Sequence, residues 1–220
     1  MKKTLFISAG HGGIDPNDGL YTTKRDQNAK YFRHQNGNDY HQGGFFYEGI
    51  SNRRIVAEFI AQATRDGFHC VPVFHSWIDT PLNLRTEFAN KTATAFSYDS
   101  IYLSFHSNAA NGRARGFYAF HHPNSRNSKN LASDISLRAN AYWNEFGSRS
   151  VNPVRDGYMY NADGTIRGIY HENIKTAMPA VIIENGFFDN ELDSDLLMNG
   201  DFCVGLCAEI LQGVNAYCQR

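Results

Sequence analysis

No stretch of the 220-residue chain approaches the roughly 20 apolar residues that a bilayer span takes, so no membrane insertion is expected. An excess of charge of one sign is also missing, since 21 Lys and Arg face 22 Asp and Glu for a formal net charge of −1. That leaves no overall basic footprint for an anionic polymer, and no nucleic-acid partner is expected. The four cysteines, Cys70, Cys203, Cys207 and Cys218, have no paired framework spacing. Cys203 and Cys207 lie four apart on an apolar helical face and read as buried thiols in a reduced protein rather than as half of a metal site. Internal repeats, low-complexity tracts and domain linkers are lacking as well. The amino terminus, MKKTLFISAGHGG, imitates a secretory leader, but its apolar stretch lasts only from Leu5 to Ile7. A leader needs roughly 7–15 such residues, so this reads as a first strand and no export signal is expected.

What is present is the composition of one domain with a full core: 42% apolar and 20% charged residues. Thr4–Ala9 is a short strand followed at once by Gly10-His11-Gly12-Gly13, where glycines leave the imidazole uncrowded. Residues 14–47 are polar and glycine-rich until Phe45-Phe46-Tyr47, and so long a segment without periodicity is expected to wall one side of a substrate cleft. Disorder is the competing reading, which its many aromatics oppose. Glu48 opens a helix with Ile55, Val56, Phe59, Ile60 and Ala63 on one face. That face runs back through Asn52 to Glu48, which turns the carboxylate inward. A strand over Cys70–Phe74 and a helix from Pro81, with Leu84, Phe88 and Ala95 among its apolar positions, come next.

Ile101–Phe105 is a buried strand with His106 at its end, followed by a strand over Gly116–His121 and a helix from about residue 128 to 146. His121 and His122 are spare ligand candidates, although they point to opposite faces of any strand. Beyond an irregular polar stretch, Ala180-Val181-Ile182-Ile183 suits a central parallel strand, with Glu184 at its end. A last helix carries Phe202, Cys203, Leu206, Cys207, Ile210, Leu211, Val214 and Tyr217 on one face. This alternation predicts a single α/β domain, a mainly parallel central sheet flanked by helices.

Each polar residue singled out has a plain structural reading. His106 fits a satisfied core histidine, Glu48 a helix-dipole or capping residue, and Glu184 a partner for an arginine such as Arg85. Together they read differently. Ligands in open α/β sheets bind at the carboxyl ends of strands, and His11, His106 and Glu184 stand at three such ends. Two imidazoles and a carboxylate form a known catalytic zinc set with one position left for water or substrate. A further carboxylate can then move protons. The spacing matches no short local motif, so shared location carries the argument.

The ordered set Gly10-His11-Gly12-Gly13 with Asp15-Pro16, Glu48 with Asn52, and Leu84-Arg85 with Ala89-Asn90 continues through Ser104-Phe105-His106-Ser107-Asn108-Ala109 and Gly116. It closes on Pro179-Ala180-Val181-Ile182-Ile183-Glu184 with Gly186-Phe187 and Asn190. This resembles the zinc-dependent N-acetylmuramoyl-L-alanine amidases of the Amidase_3 type along nearly the whole chain. The resemblance implies a peptidoglycan hydrolase with one Zn²⁺ per chain held by His11, Glu48 and His106, and Glu184 as catalytic residue. Arg85 and Asn90 would be supporting structure, and residues 14–47 would be longer than is usual in the family. With no export signal, the expectation is a monomer made in the cytoplasm and released to the wall through a holin, as for a phage or prophage endolysin. The rival readings are a zinc (carboxy)peptidase acting on the stem peptide and a non-catalytic cell-wall-binding module.

Overall fold

The computed structural model describes residues 3–23 and 30–220. Along the chain come β1 (Thr4–Ala9), β2 (Tyr31–Arg33), β3 (Phe45–Tyr47), α1 (Glu48–Arg65), β4 (His69–Pro72), α2 (Leu82–Ala95), β5 (Ser100–Asn108) and β6 (Phe117–His121). Then follow α3 (Arg126–Glu145), β7 (Val154–Asp156), β8 (Tyr158–Tyr160), β9 (Ile166–Ile169), α4 (His171–Lys175), β10 (Ala180–Phe187), α5 (Glu191–Met198) and α6 (Gly200–Cys218). Six strands make the central sheet in the order β4-β1-β5-β10-β6-β7. β1, β4, β5 and β10 run parallel, and β6 pairs antiparallel with β10. The chain is thus a single α/β domain with a mostly parallel sheet. Among the described residues, no helix is long and apolar enough to cross a membrane.

The two faces of the sheet are covered unequally. Leu5, Ile7, Ile101, Leu103, Phe105, Val181 and Ile183 point to one side, where they meet Ile55 and Phe59 of α1, Leu131 and Trp143 of α3, and Leu206 and Ile210 of α6. Alternation sends Phe6, Tyr102 and Ala180 to the other side, into a small cluster with Val73 and Ala89 of α2. The large core lies behind the sheet and fixes it; the thin face leaves room for a cleft.

Several sequence expectations need adjusting. The fourth strand spans His69–Pro72 rather than 70–74. In α2, Leu84 and Phe88 are each 52% exposed, and the inward face is Arg85, Thr86 and Ala89. The reason is the surface this helix covers, a strand end with free carbonyl groups that suits a guanidinium better than an alkyl chain. The irregular stretch before Met178 holds β7, the β8–β9 hairpin and α4. β10 continues past Glu184 to Phe187, with a register shift against β5 between those residues. Residues 14–47 contain the β2–β3 hairpin and an isolated Ile14–Tyr21 bridge, while positions 24–29 of that segment lie outside the described residues. All four cysteines are free thiols.

α3 and α6 approach backbone to backbone at Gly213. A Cβ there would stand 2.5 Å from Ile135 Cα and 2.7 Å from Asp134 O, neither of which can rotate away. Gly213→Ala is expected to destabilise the fold, because overpacking of ~1–3 kcal/mol near its upper end exceeds the ~1 kcal/mol alanine gains in a helix interior. Denaturant melts with a fixed slope check this; an unchanged or raised midpoint contradicts the close-packed α3–α6 contact.

Candidate metal centre and active-site cleft

The site begins where β1 stops. Arg85, buried at 1% exposure, donates to Ala9 O at 2.7 Å, Ser8 Oγ at 2.9 Å and Thr80 O at 2.8 Å, which pins the strand end. Arg85 therefore does not pair with Glu184. Beyond the pinned end, Gly10 has no side chain for a reason: a Cβ would fall 2.2 Å from the His106 ring. His11 follows with φ at +61°, a left-handed backbone that few side chains adopt without cost. α1 grips the loop from below. Asn52 Nδ2 donates to Gly10 O at 3.2 Å, and Arg53 Nη1 to Gly12 O at 2.7 Å. Gly49 lets this helix come close, since a Cβ would lie 1.9 Å from Gly12 O.

Glu48, the first residue of α1, projects its buried carboxylate between the two histidines. Its Oε1 lies 3.1 Å from His106 Nδ1 and accepts from Ser107 N at 3.2 Å. Its Oε2 lies 3.3 Å from His11 Nε2 and 3.8 Å from Lys30 Nζ. Glu48 makes no helix cap, because Tyr47 precedes the helix without a side-chain cap bond. Among the described residues, His11, Glu48 and His106 form the one group of His, Cys, Asp or Glu side chains whose ligand atoms all lie within 4.8 Å of one another. His121 and His122 stay apart, their ring nitrogens engaged locally with His122 O and Asn124 N.

These residues fit a metal ion on two counts. His11 Nε2 and His106 Nδ1 stand 3.3 and 3.1 Å from the two oxygens of Glu48, and one ligand atom from each of the three side chains lies within 4.8 Å of the others. Small rotations bring them to the ~2.0–2.2 Å bonds of a shared ion. Glu48 Oε2 is also buried without a hydrogen bond, a costly state that a bound cation relieves. Burial pushes the Glu48 carboxyl up, but the neighbouring His11 and His106 rings hold it well below the usual range. Burial disfavours a charged His106, yet Glu172 and Glu48 at its two ring nitrogens raise it to about 10.

Glu184 is the register partner of His106 on the adjacent parallel strand, so the two side chains leave the same face of the sheet. It is 8% exposed, and its Oε2 has no hydrogen-bond partner. Burial raises its carboxyl to about 7; the nearby His106 pulls it down and Glu48 pushes it up. All four residues line one cleft of about 930 Å³, with Thr22, Thr23 and Lys30 of the long polar segment on its wall.

With that geometry in view, the comparisons decide the family. The Amidase_3 model, described as N-acetylmuramoyl-L-alanine amidase, matches residues 5–216. The chain belongs to this family of amidases. No curated protein sequence matches it. Similar solved structures include an N-acetylmuramoyl-L-alanine amidase from Clostridium difficile 630, 21% identical, with 98% of this chain and 96% of that one covered and a TM-score of 0.71. The catalytic domain of the amidase CwlV from Bacillus (Paenibacillus) polymyxa var. colistinus is 19% identical over 98% of this chain and 97% of that one, with a TM-score of 0.68. The amidase Ami1 from Mycobacterium smegmatis is 15% identical over 99% and 97%, with a TM-score of 0.70. At such identities the likeness is one of fold.

Two residues of this amidase's cleft escaped sequence reasoning. Lys30 sits in the aperiodic segment, where nothing marks one lysine above its neighbours. Glu172 comes from the irregular stretch before β10, is 3% exposed, and has Oε2 3.7 Å from His106 Nε2. Burial raises the Glu172 carboxyl, but the His106 ring, Arg85 and Tyr102 bring it down to about 2. The available signal was polar residues at alternate positions of an otherwise apolar strand: Tyr102, Ser104 and His106 require a polar partner on their face.

The raised carboxyl of Glu184 makes stability depend on pH. The folded protein binds this proton more tightly than the unfolded chain, so its contribution is complete below the ordinary value of 4.5 and is lost as pH rises through about 7. Glu184→Gln, compared with wild type in the metal-free protein, is expected to melt higher at pH 8. The gain is on the order of 1 kcal/mol or more, each such kcal/mol being worth roughly 2–4 °C at this chain length. The difference should shrink towards zero near pH 4. Equal melting temperatures at pH 8 would mean that Glu184 carries no such penalty.

Proposed function

We propose that the chain is a zinc-dependent N-acetylmuramoyl-L-alanine amidase in which His11, Glu48 and His106 hold the ion and Glu184 moves the proton. The observation that carries this reading is the placement of Glu184, a buried carboxyl with one oxygen free of hydrogen bonds, beside a histidine of the three-donor cluster in an open cleft. Two imidazoles and one carboxylate with a position left open are a known catalytic zinc set, and zinc is the ion that the family resemblance implies, although the same donors accept other divalent ions. When bound, the ion supplies a Lewis acid for the lactyl carbonyl and a water acidified to a pKa of about 7.

The reaction consumes one water: a C–O bond forms at the lactyl carbon, and the C–N bond to L-alanine breaks. Glu184 takes the proton of the attacking water on its free oxygen and returns it to the departing nitrogen. The buried position of Glu184 disfavours the charged form, so a proton taken from the water is readily held until the departing nitrogen accepts it. Arg85, Asn52 and Arg53 hold the strand end and the Gly10–Gly13 loop, so His11 is presented in one orientation. Lys30 brings positive charge to the cleft wall beside Glu48.

Mass spectrometry of digested peptidoglycan tests the bond assignment. Free L-alanine amino termini and peptide-free glycan strands are expected; new ends within the stem peptide would instead assign the chain to a peptidase. Glu184→Ala should keep the fold and one zinc per chain yet lose at least the ~10²-fold supplied by an acid–base group. Retained turnover in that variant removes Glu184 from the mechanism. His106→Ala should lower the zinc content measured by elemental analysis below one per chain, and full occupancy at normal affinity would contradict its place among the ligands.

A further inference from the structure

Glu172 is the second carboxylate buried at His106, and the steps above leave it without a task. It sits buried in the first turn of α4. Three alternate residues of β5 converge on it. Tyr102 donates its hydroxyl to Glu172 Oε1 at 2.7 Å, and Ser104 Oγ donates to Glu172 Oε2 at 2.9 Å. His106 Nε2 stands 3.7 Å from the same Oε2, the range of an ion pair rather than of a hydrogen bond. Among the described residues, no lysine or arginine stands within salt-bridge distance of this carboxylate, so its buried charge is met at contact by the two hydroxyls and the imidazole, with the Arg85 guanidinium acting from further off.

The two ring nitrogens of His106 therefore face different carboxylates. Nδ1 faces Glu48 and the metal-binding cluster at 3.1 Å, whereas Nε2 faces Glu172. We propose that Glu172 is the positioning residue of His106, holding the proton on Nε2 so that the lone pair of Nδ1 points into the cluster. A carboxylate 3.7 Å from the outer nitrogen favours the proton there electrostatically, which leaves Nδ1 as the ligand atom and makes it a stronger donor to the cluster. Tyr102 and Ser104 fix the carboxylate in turn, and neither hydroxyl reaches the cluster itself. This inference rests on the metal reading of the site, and the following test separates the two.

Zinc affinity is measured by competition with a chromophoric chelator on wild type, Glu172→Gln and Tyr102→Phe, with nitrogen-15 resonances of the His106 ring recorded on the zinc-loaded proteins. Wild type should bind one zinc and show a protonated Nε2 and a metal-bound Nδ1. Glu172→Gln keeps the size of the side chain and one accepted hydrogen bond from β5 but replaces the second oxygen by a donor and removes the charge. It should raise the zinc dissociation constant about 10–100-fold and broaden or shift the His106 resonances while those of His11 stay put. Tyr102→Phe, which loosens the carboxylate without removing it, should move both readouts the same way by less. If Glu172→Gln does not fold, Tyr102→Phe alone decides. Zinc affinity and His106 resonances unchanged in the folded variants would overturn the role of Glu172 and leave the metal reading intact. Failure of wild type to bind zinc would overturn both.

Discussion

A negative charge in a buried place organises this molecule. Glu48 is almost fully removed from water at the first turn of α1, and an isolated carboxylate there would neutralise itself or unfold its surroundings. It does neither, because two imidazoles, an ammonium group and a backbone N–H from three other parts of the chain are aimed at it. Each must be delivered by a rigid element, and so the strand ends, the glycine loop and the helix start are all built to tight tolerances. Gly10 and Gly49 are small where a methyl group would displace the His106 ring or the Gly12 carbonyl.

The supporting arginines follow the same logic at one remove. A strand end exposes carbonyl groups that no further strand can satisfy. Arg85 and Arg53 cap these groups with planar donor forks, the first at Ala9 and Thr80, the second at Gly12, Gly49 and the 75–78 segment. The outcome is a loop held at several backbone atoms, which sustains the left-handed conformation of His11. Asn90 works in the same way further out, donating to Lys175 O and accepting from Ala177 N to fasten the segment between α4 and β10.

Much of this was legible because an apolar run that breaks off at a polar residue marks the buried part of a strand, even though β5 runs on to Asn108 and β10 to Phe187. His106 and Glu184 stood out as polar residues after Ile-Tyr-Leu-Ser-Phe and Val-Ile-Ile, and Glu48 as an acid on the extrapolated inward face of a helix. What remained hidden lay where periodicity fails or misleads. Glu172 sits in a stretch of alternating turns and short pieces whose path is set by tertiary contacts. Leu84 and Phe88 pointed to a conventional amphipathic α2, but the sheet end beneath it selected Arg85 for the inward face and left both apolar side chains in water. Burial follows what the opposite surface offers, and a single sequence does not display that surface.

The unequal covering of the sheet also divides the molecule's local stability. Behind it lies the large core shared by α1, α3 and α6; in front, α2 rests on the small cluster around Phe6 and Tyr102, and α4 is held to Tyr102 through Glu172. Opening free energy follows buried apolar contact, so the front layer belongs to the shallow end of the stability range and the sheet to the deep end. Motion of the cleft wall can then proceed while the strands carrying His106 and Glu184 stay closed.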